Sequence, residues 1–255
     1  MKRIFKLSLI LIFLVNSVFL TNCNKDDPTS PIKGNNFVSN TNFTAEDSFS
    51  YEIDAIGHSE LNLEGINGAI VITEVSGANS VKITGVKQVK SESTEDAKAH
   101  LKELTVNVQD LTNKVFVKTT QPDFLGGRSY IVDYAITLPY DMEIDVNSLN
   151  GRVTLNEIHG NVDVDLTNGN IDGEVILPLD GTIDMQLTNG MLELDIPQNT
   201  SAEFEATTST GTINVSNLVL QNQVQTPKSV TGTCGDGRGI ISLRTTNGEI
   251  VVKGF

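Results

Sequence analysis

The amino-acid sequence predicts an all-β fold: a β-solenoid, a parallel β-helix-like stack of repeats roughly 20 residues long, with one short covering helix. Three observations predict it. First, one phrase returns six times: an alternating apolar run, Asn-Gly or a close variant, then a second apolar run. It stands at Ile66-Asn67-Gly68-Ala69-Ile70, Leu149-Asn150-Gly151-Arg152-Val153 and Thr167-Asn168-Gly169-Asn170-Ile171, and again at Thr188-Asn189-Gly190-Met191-Leu192, Ser209-Thr210-Gly211-Thr212-Ile213 and Thr246-Asn247-Gly248-Glu249-Ile250. Second, the glycines at 151, 169, 190 and 211 lie 18, 21 and 21 residues apart, close to the period of a stacked repeat. Third, one repeat is too small to fold alone. It buries about five large apolar side chains at roughly 1.5–3 kcal/mol each, against roughly 1–2 kcal/mol of backbone entropy for every residue ordered.

Taking the elements in chain order, residues 1–22 read as an export signal. Lys2, Arg3 and Lys6 form a charged start, and 7–20 is apolar apart from Ser8, Asn16 and Ser17. Leu20-Thr21-Asn22-Cys23 then resembles a bacterial lipoprotein lipobox, with Asn22 departing from the small residue usual before the cysteine. The resemblance implies diacylglyceryl transfer to the sulfur of Cys23, cleavage before it, and attachment of the protein to a membrane through that lipid. Residues 23–42 are polar, with Pro28, Pro31 and Gly34, and read as a lipidated flexible tether. Within it, Asn24-Lys25-Asp26-Asp27 is similar to the signal that sends Bacteroidetes lipoproteins to the cell surface; a merely solvated tether explains the same residues.

Residues 43–255 form the β-strand-repeat domain. Its early part lapses from the period. Ser93-Thr94-Glu95-Asp96 opens a helix with Ser93 or Thr94 as N-cap, and Ala97, Leu101 and Leu104 share a face. Residues 105–108 and 114–118 alternate around Asp110-Leu111-Thr112-Asn113, a hairpin, and 130–138 is a strand ending at Pro139. The helix reads as an edge cover with no functional role. In the repeats, Val162-Asp163-Val164-Asp165-Leu166 places its apolar residues on one face and its aspartates on the other, and Ile183-Asp184-Met185-Gln186-Leu187 does the same.

Two architectures fit such units. In a meander each Asn-Gly is a hairpin loop. In a solenoid each repeat is one coil, with Val164 over Met185 and Asn168 over Asn189. Hairpins do not require the spacing between units to hold near 21, so the spacing favours the solenoid. The 37-residue gap from Gly211 to Gly248 calls for an excursion or an additional degenerate coil.

The order of helix, hairpin, a run into Leu-Pro (Tyr134-Ala135-Ile136-Thr137-Leu138-Pro139), Asn-Gly repeats, Gly235-Asp236-Gly237 and a closing Thr-Asn-Gly-Glu-Ile resembles the bacterial putative-adhesin family of β-strand-repeat envelope proteins. The likeness spans residues 45–255. It implies a β-solenoid-like fold and an envelope location, and no established catalytic residue.

Composition narrows the partners. Removing the three basic residues of the leader leaves 15 basic against 32 acidic residues, a net charge of −17. That disfavours nucleic acid and anionic lipid faces. With Cys23 consumed by lipid, Cys234 has no disulfide partner. His58, His100 and His159 form no metal-ligand spacing. Asp163-Val164-Asp165-Leu166-Thr167-Asn168-Gly169 resembles the start of a calcium loop, but its glycine is one place late and a strand with outward aspartates explains it. Gly235-Asp236-Gly237-Arg238-Gly239 lacks phosphate-loop residues and reads as a tight turn. Outward Asp163, Asp165, Asp184 and Glu193 invite comparison with polysaccharide-cleaving β-helices, but general acid–base work needs two carboxylates in distinct environments. The absence of Trp and only four Tyr remove the platforms on which sugars stack. The sequence thus predicts a non-enzymatic, cofactor-free lipoprotein of the cell envelope, most plainly of the outer membrane, acting as adhesin or surface scaffold toward a protein or glycan ligand. An envelope-stress or signalling component working by protein–protein contact, and a carbohydrate-active β-helix enzyme, are the alternatives.

Overall fold

The computed structural model describes residues 42–255. The leader, Cys23 and nearly all of the tether lie outside the described residues. The chain opens with β1 (Phe43–Asp54), β2 (Glu60–Glu64), β3 (Asn67–Glu74) and β4 (Ser80–Ser91). Helix α1 (Thr94–Leu101) follows, and Ser93 caps it by accepting the Asp96 N–H at 3.1 Å. The hairpin of β5 (Thr105–Leu111) and β6 (Lys114–Thr120) turns at Thr112-Asn113, and β7 (Ser129–Leu138) runs into Pro139. Three long strands come next, β8 (Glu143–Ile158), β9 (Val162–Val175) and β10 (Thr182–Ile196). The chain closes with β11 (Ala202–Thr210), β12 (Ile213–Ser216), β13 (Gln221–Thr226), β14 (Ser229–Cys234) and β15 (Gly239–Gly254).

Each of β8, β9, β10 and β15 is one coil of a β-solenoid-like stack, and each runs unbroken through its Asn-Gly corner. In β9, Val162, Val164 and Leu166 point inward before the corner, and Ile171 and Val175 after it. Adjacent coils are parallel and in register, with Val164 beside Met185 and Asn168 beside Asn189. Parallel neighbours exclude the meander, whose hairpins would alternate in direction. The coil of β2 and β3 stacks on β8 across a detour of 83 residues, pairing Asn67 with Asn150 and Leu61 with Ile144.

Stack order departs from chain order at the other end. The spacing of 21 residues suggests that the Gly211 coil sits directly on the Gly190 coil. Instead β15 lies between them, pairing with β10 on one side and with β11 and β12 on the other. Burial explains the choice. Ile241, Leu243, Ile250 and Val252 of β15 are fully buried, whereas β12 leaves Ile213 and Val215 half-exposed. The more apolar strand gains most from neighbours on both sides. The gap before Gly248 is an excursion: β13 and β14 form a hairpin that adds to the outer edge of β11. At the opposite end, antiparallel β4 and β1 extend the sheet beyond β7, and α1 packs against both, burying Ala97 and half-burying Leu101. The helix ends there, so Leu104, expected on the same helical face, is buried from the segment beyond it. The helix is the edge cover that the sequence predicts.

Candidate functional site

Parallel in-register stacking turns each outward position of the repeat into a row. On the face before the corner, one row runs Asn62, Asp145, Asp163, Asp184, Ser242, Glu205. Beside it runs Glu64, Asn147, Asp165, Gln186, Arg244, Thr207. Beyond the corner, Thr154, Asp172, Glu193 and Val251 form another. Neighbouring strands lie only about 4.8 Å apart, so stacked carboxylates repel. Partial burial raises the Asp163 carboxyl first, and the charges of Asp145 and Asp184 add to it. Cations interrupt the rows: Arg244 meets Asp184 at 3.1 Å, Arg152 meets Asp172 at 2.7 Å, and Lys253 pairs with Glu193.

The corner carries the most regular array. Asn150 donates to Asn67 at 2.7 Å, Asn168 to Asn150 at 2.9 Å, Asn189 to Asn168 at 2.8 Å and Asn247 to Asn189 at 2.9 Å. Asn67 ends the ladder by donating to the Tyr130 carbonyl at 3.0 Å. Such amide ladders recur where identical residues stack in register. Next to it the glycines pack backbone on backbone. Gly169 has φ +135°, and a Cβ there would overlap the carbonyl oxygen of Gly151. The turn therefore needs glycine twice over, for its dihedral and for the closeness of the coils.

The residues singled out from sequence do not converge. His58 bonds Asp110 at 2.7 Å, His100 lies on α1 with its Nδ1 2.8 Å from the Asp96 carbonyl, and His159 lies beyond β8. Cys234 is buried, and burial pushes its thiol up to about 11, so it is inert at neutral pH. Arg238, its neighbour in sequence, is held by Asp180 at 2.6 Å. Gly235 and Gly237 form a turn with positive φ, closed by the Gly237 N–H on the Cys234 carbonyl. The stretch from Asp163 is a strand with outward aspartates. Among the described residues no group of three or more His, Cys, Asp or Glu is placed to hold a metal, and no helix is long and apolar enough to cross a membrane.

One group went unnoticed in the sequence. Glu74 is buried at the end of β3, where its Oε2 accepts the His159 backbone N–H at 2.9 Å and lies 3.1 Å from His159 Nδ1. Burial holds its carboxyl above the ordinary range, outweighing the His159 bonds. Tyr140 stacks on His159 with ring centroids 4.2 Å apart. The available signal was phase: Glu74 continues the inward alternation of Ile70 and Ile72.

These features define a class, a β-strand-repeat protein whose stacked coils bury an aliphatic core and present rows of Asp, Asn and Thr. The Toastrack DUF4097 family model matches residues 132–253, so that this part of the chain is similar to a Toastrack domain. No curated protein matches the chain. Among solved structures, a putative cell adhesion protein from Clostridium sporogenes is similar in fold, with a TM-score of 0.57 at 11% identity over 83% of this chain and 100% of that one. A putative adhesin from Bacteroides fragilis aligns with a TM-score of 0.23 at 11% identity, over 82% of this chain and 97% of that one.

Proposed function

We propose that the protein is a non-enzymatic, lipid-anchored component of the cell envelope, whose solenoid presents an acidic, extended face for adhesion or as a surface scaffold. One observation carries this reading. The outward carboxylates are spread along rows over successive coils and paired with cations, instead of converging on a centre with distinct acid and base. The most exposed large apolar side chains, Ile56, Phe124, Leu179 and Val219, stand at separate turns, and on the stacked coils β8 and β15 only Leu149 and Ile240 are exposed, far apart in register. The name of the Clostridium protein agrees with a surface role. The lipobox-like Leu20-Thr21-Asn22-Cys23 supplies the anchor, and two or more acyl chains hold a protein stably where one is marginal.

Two measurements test it. Metabolic labelling with a tagged fatty acid should mark the wild-type chain and leave Cys23→Ser unlabelled; an unlabelled wild type would overturn the anchor. Attachment of cells displaying the protein to a cationic surface should weaken in salt and in D163N/D165N. Attachment indifferent to both would remove the acidic face from the account.

A further inference from the structure

The chain contains five Asn-Gly pairs, at 67, 150, 168, 189 and 247, and Asn-Gly is chemically the most labile dipeptide for loss of the side-chain amide. The glycine nitrogen attacks the Asn Cγ. A new N–C bond closes a five-membered imide, the Cγ–Nδ2 bond breaks, and Nδ2 leaves as ammonia with the proton from the glycine N–H. Water then opens the ring at either carbonyl, giving aspartate or isoaspartate. Glycine speeds the first step because no Cβ hinders the attacking nitrogen.

The stack opposes that step. All five Asn lie within strands, where the extended backbone holds the following amide away from the side chain, so attack requires rotation about the Asn Cα–C bond. That rotation would swing the glycine carbonyl, which for Gly68, Gly151, Gly169, Gly190 and Gly248 alike lies against the glycine of the next coil; the Gly248 carbonyl also accepts from the Thr208 and Thr245 hydroxyls. The side chain is tethered too. Asn67, Asn150, Asn168 and Asn189 each donate through Nδ2 and accept a ladder bond at Oδ1. Asn247 differs. Its Nδ2 donates to Asn189, but the residue in register with it on the next coil is Thr210, which supplies no amide donor. That next coil is also the one that leaves the strand path at its corner, breaking between β11 and β12 at Gly211 and Thr212.

We propose that Asn247 is the site of spontaneous deamidation in the folded protein, and that the amide ladder shields the four Asn-Gly pairs stacked beneath it. Opening of the end coil is enough to release Asn247, whereas the inner rungs wait for the stack itself to open.

Peptide mapping by mass spectrometry after timed incubation of the full chain tests this, in mildly alkaline buffer with and without denaturant. In denaturant all five pairs should lose ammonia at similar rates. In the folded chain Asn247 should lead, with the other four slowed by more than about tenfold relative to denaturant. Inner rungs as fast folded as unfolded, or Asn247 no faster than they are, would overturn the proposal. A second arm uses T210N, which supplies the missing donor and a new Asn-Gly pair above position 247. Deamidation should then slow at 247 and appear at 210; an unchanged rate at 247 would remove the ladder as the shield. The wild-type arm stands if T210N does not fold.

Discussion

Replacing Gly169 by alanine separates the two demands made on the corner. The substitution places a side chain at φ +135° and drives its Cβ into the carbonyl of Gly151, a backbone group that no rotamer change can move aside. Strained dihedrals of this kind cost about 1–3 kcal/mol. Parting the coils to relieve the overlap also breaks the Asn168–Asn150 and Asn189–Asn168 bonds, each about 0.5–1.5 kcal/mol. The loss is then roughly 2–6 kcal/mol, a large share of the roughly 5–15 kcal/mol that holds a domain together. Gly57 provides the control. It has φ +86° with open space around its Cβ position, so Gly57→Ala incurs the dihedral strain alone. Urea unfolding at constant m-value should show Gly169→Ala exceeding Gly57→Ala by about 1–3 kcal/mol. Equal losses would refute the backbone-contact argument and leave only positive φ. Coupling gives a second reading. Gly169 and Gly190 stack directly, as do Gly190 and Gly248, so double substitutions there should depart from additivity. Gly68 and Gly211, at opposite ends of the glycine row with no shared neighbour, should simply add.

Glu74→Gln should gain on the wild type as pH rises from 4.5 toward neutrality. Burial raises the native carboxyl above 4.5, so its contribution is full below that pH and fades as pH climbs through the native value; a wild type that gains on the variant instead would reverse the sign. Asp96→Asn should lower the melting temperature at neutral pH and converge with the wild type in acid. The Arg128 guanidinium, at 2.7 Å, and then Ser91 hold the native Asp96 carboxyl well below 3.8, and that stability is lost as pH falls through the native value. A thiol reagent should label Cys234 slowly in the native protein and quickly after denaturation, because the thiol is buried and pushed up to about 11. Thermal melts of residues 43–255 should be indifferent to chelator and reductant; a midpoint several degrees lower in chelator would restore the calcium reading of Asp163.

Much of the repeat was legible in sequence because period 2 and the Asn-Gly corner are local. Val162, Val164 and Leu166 point inward as their alternation requires, and Ser93 caps the helix where Asp96 offers its N–H. Stack order is not local. Nothing in the spacing from Gly190 to Gly211 announces that a strand beginning at Gly239 will come between them; that is decided by how much apolar surface each candidate neighbour buries. The pairings that tune the outer rows were hidden for the same reason. Arg244 and Asp184 are 60 residues apart, and their meeting depends on the seat of β15. Glu74 escaped notice because an inward acid looks like any other strand-end charge until His159 arrives from 85 residues away.

The seat of β15 also bears on how this chain is made. β15, made after β11 and β12, is an inner layer with partners on both sides, while that earlier coil sits outside it. A chain emerging in order can assemble from β2 through β10, but it must hold β11 off until β15 arrives. Losing the sixteen residues of β15 would therefore remove a layer from the body of the stack instead of trimming its end. Closure of the core thus waits for β15, although the coil that lies outside it comes earlier in the chain.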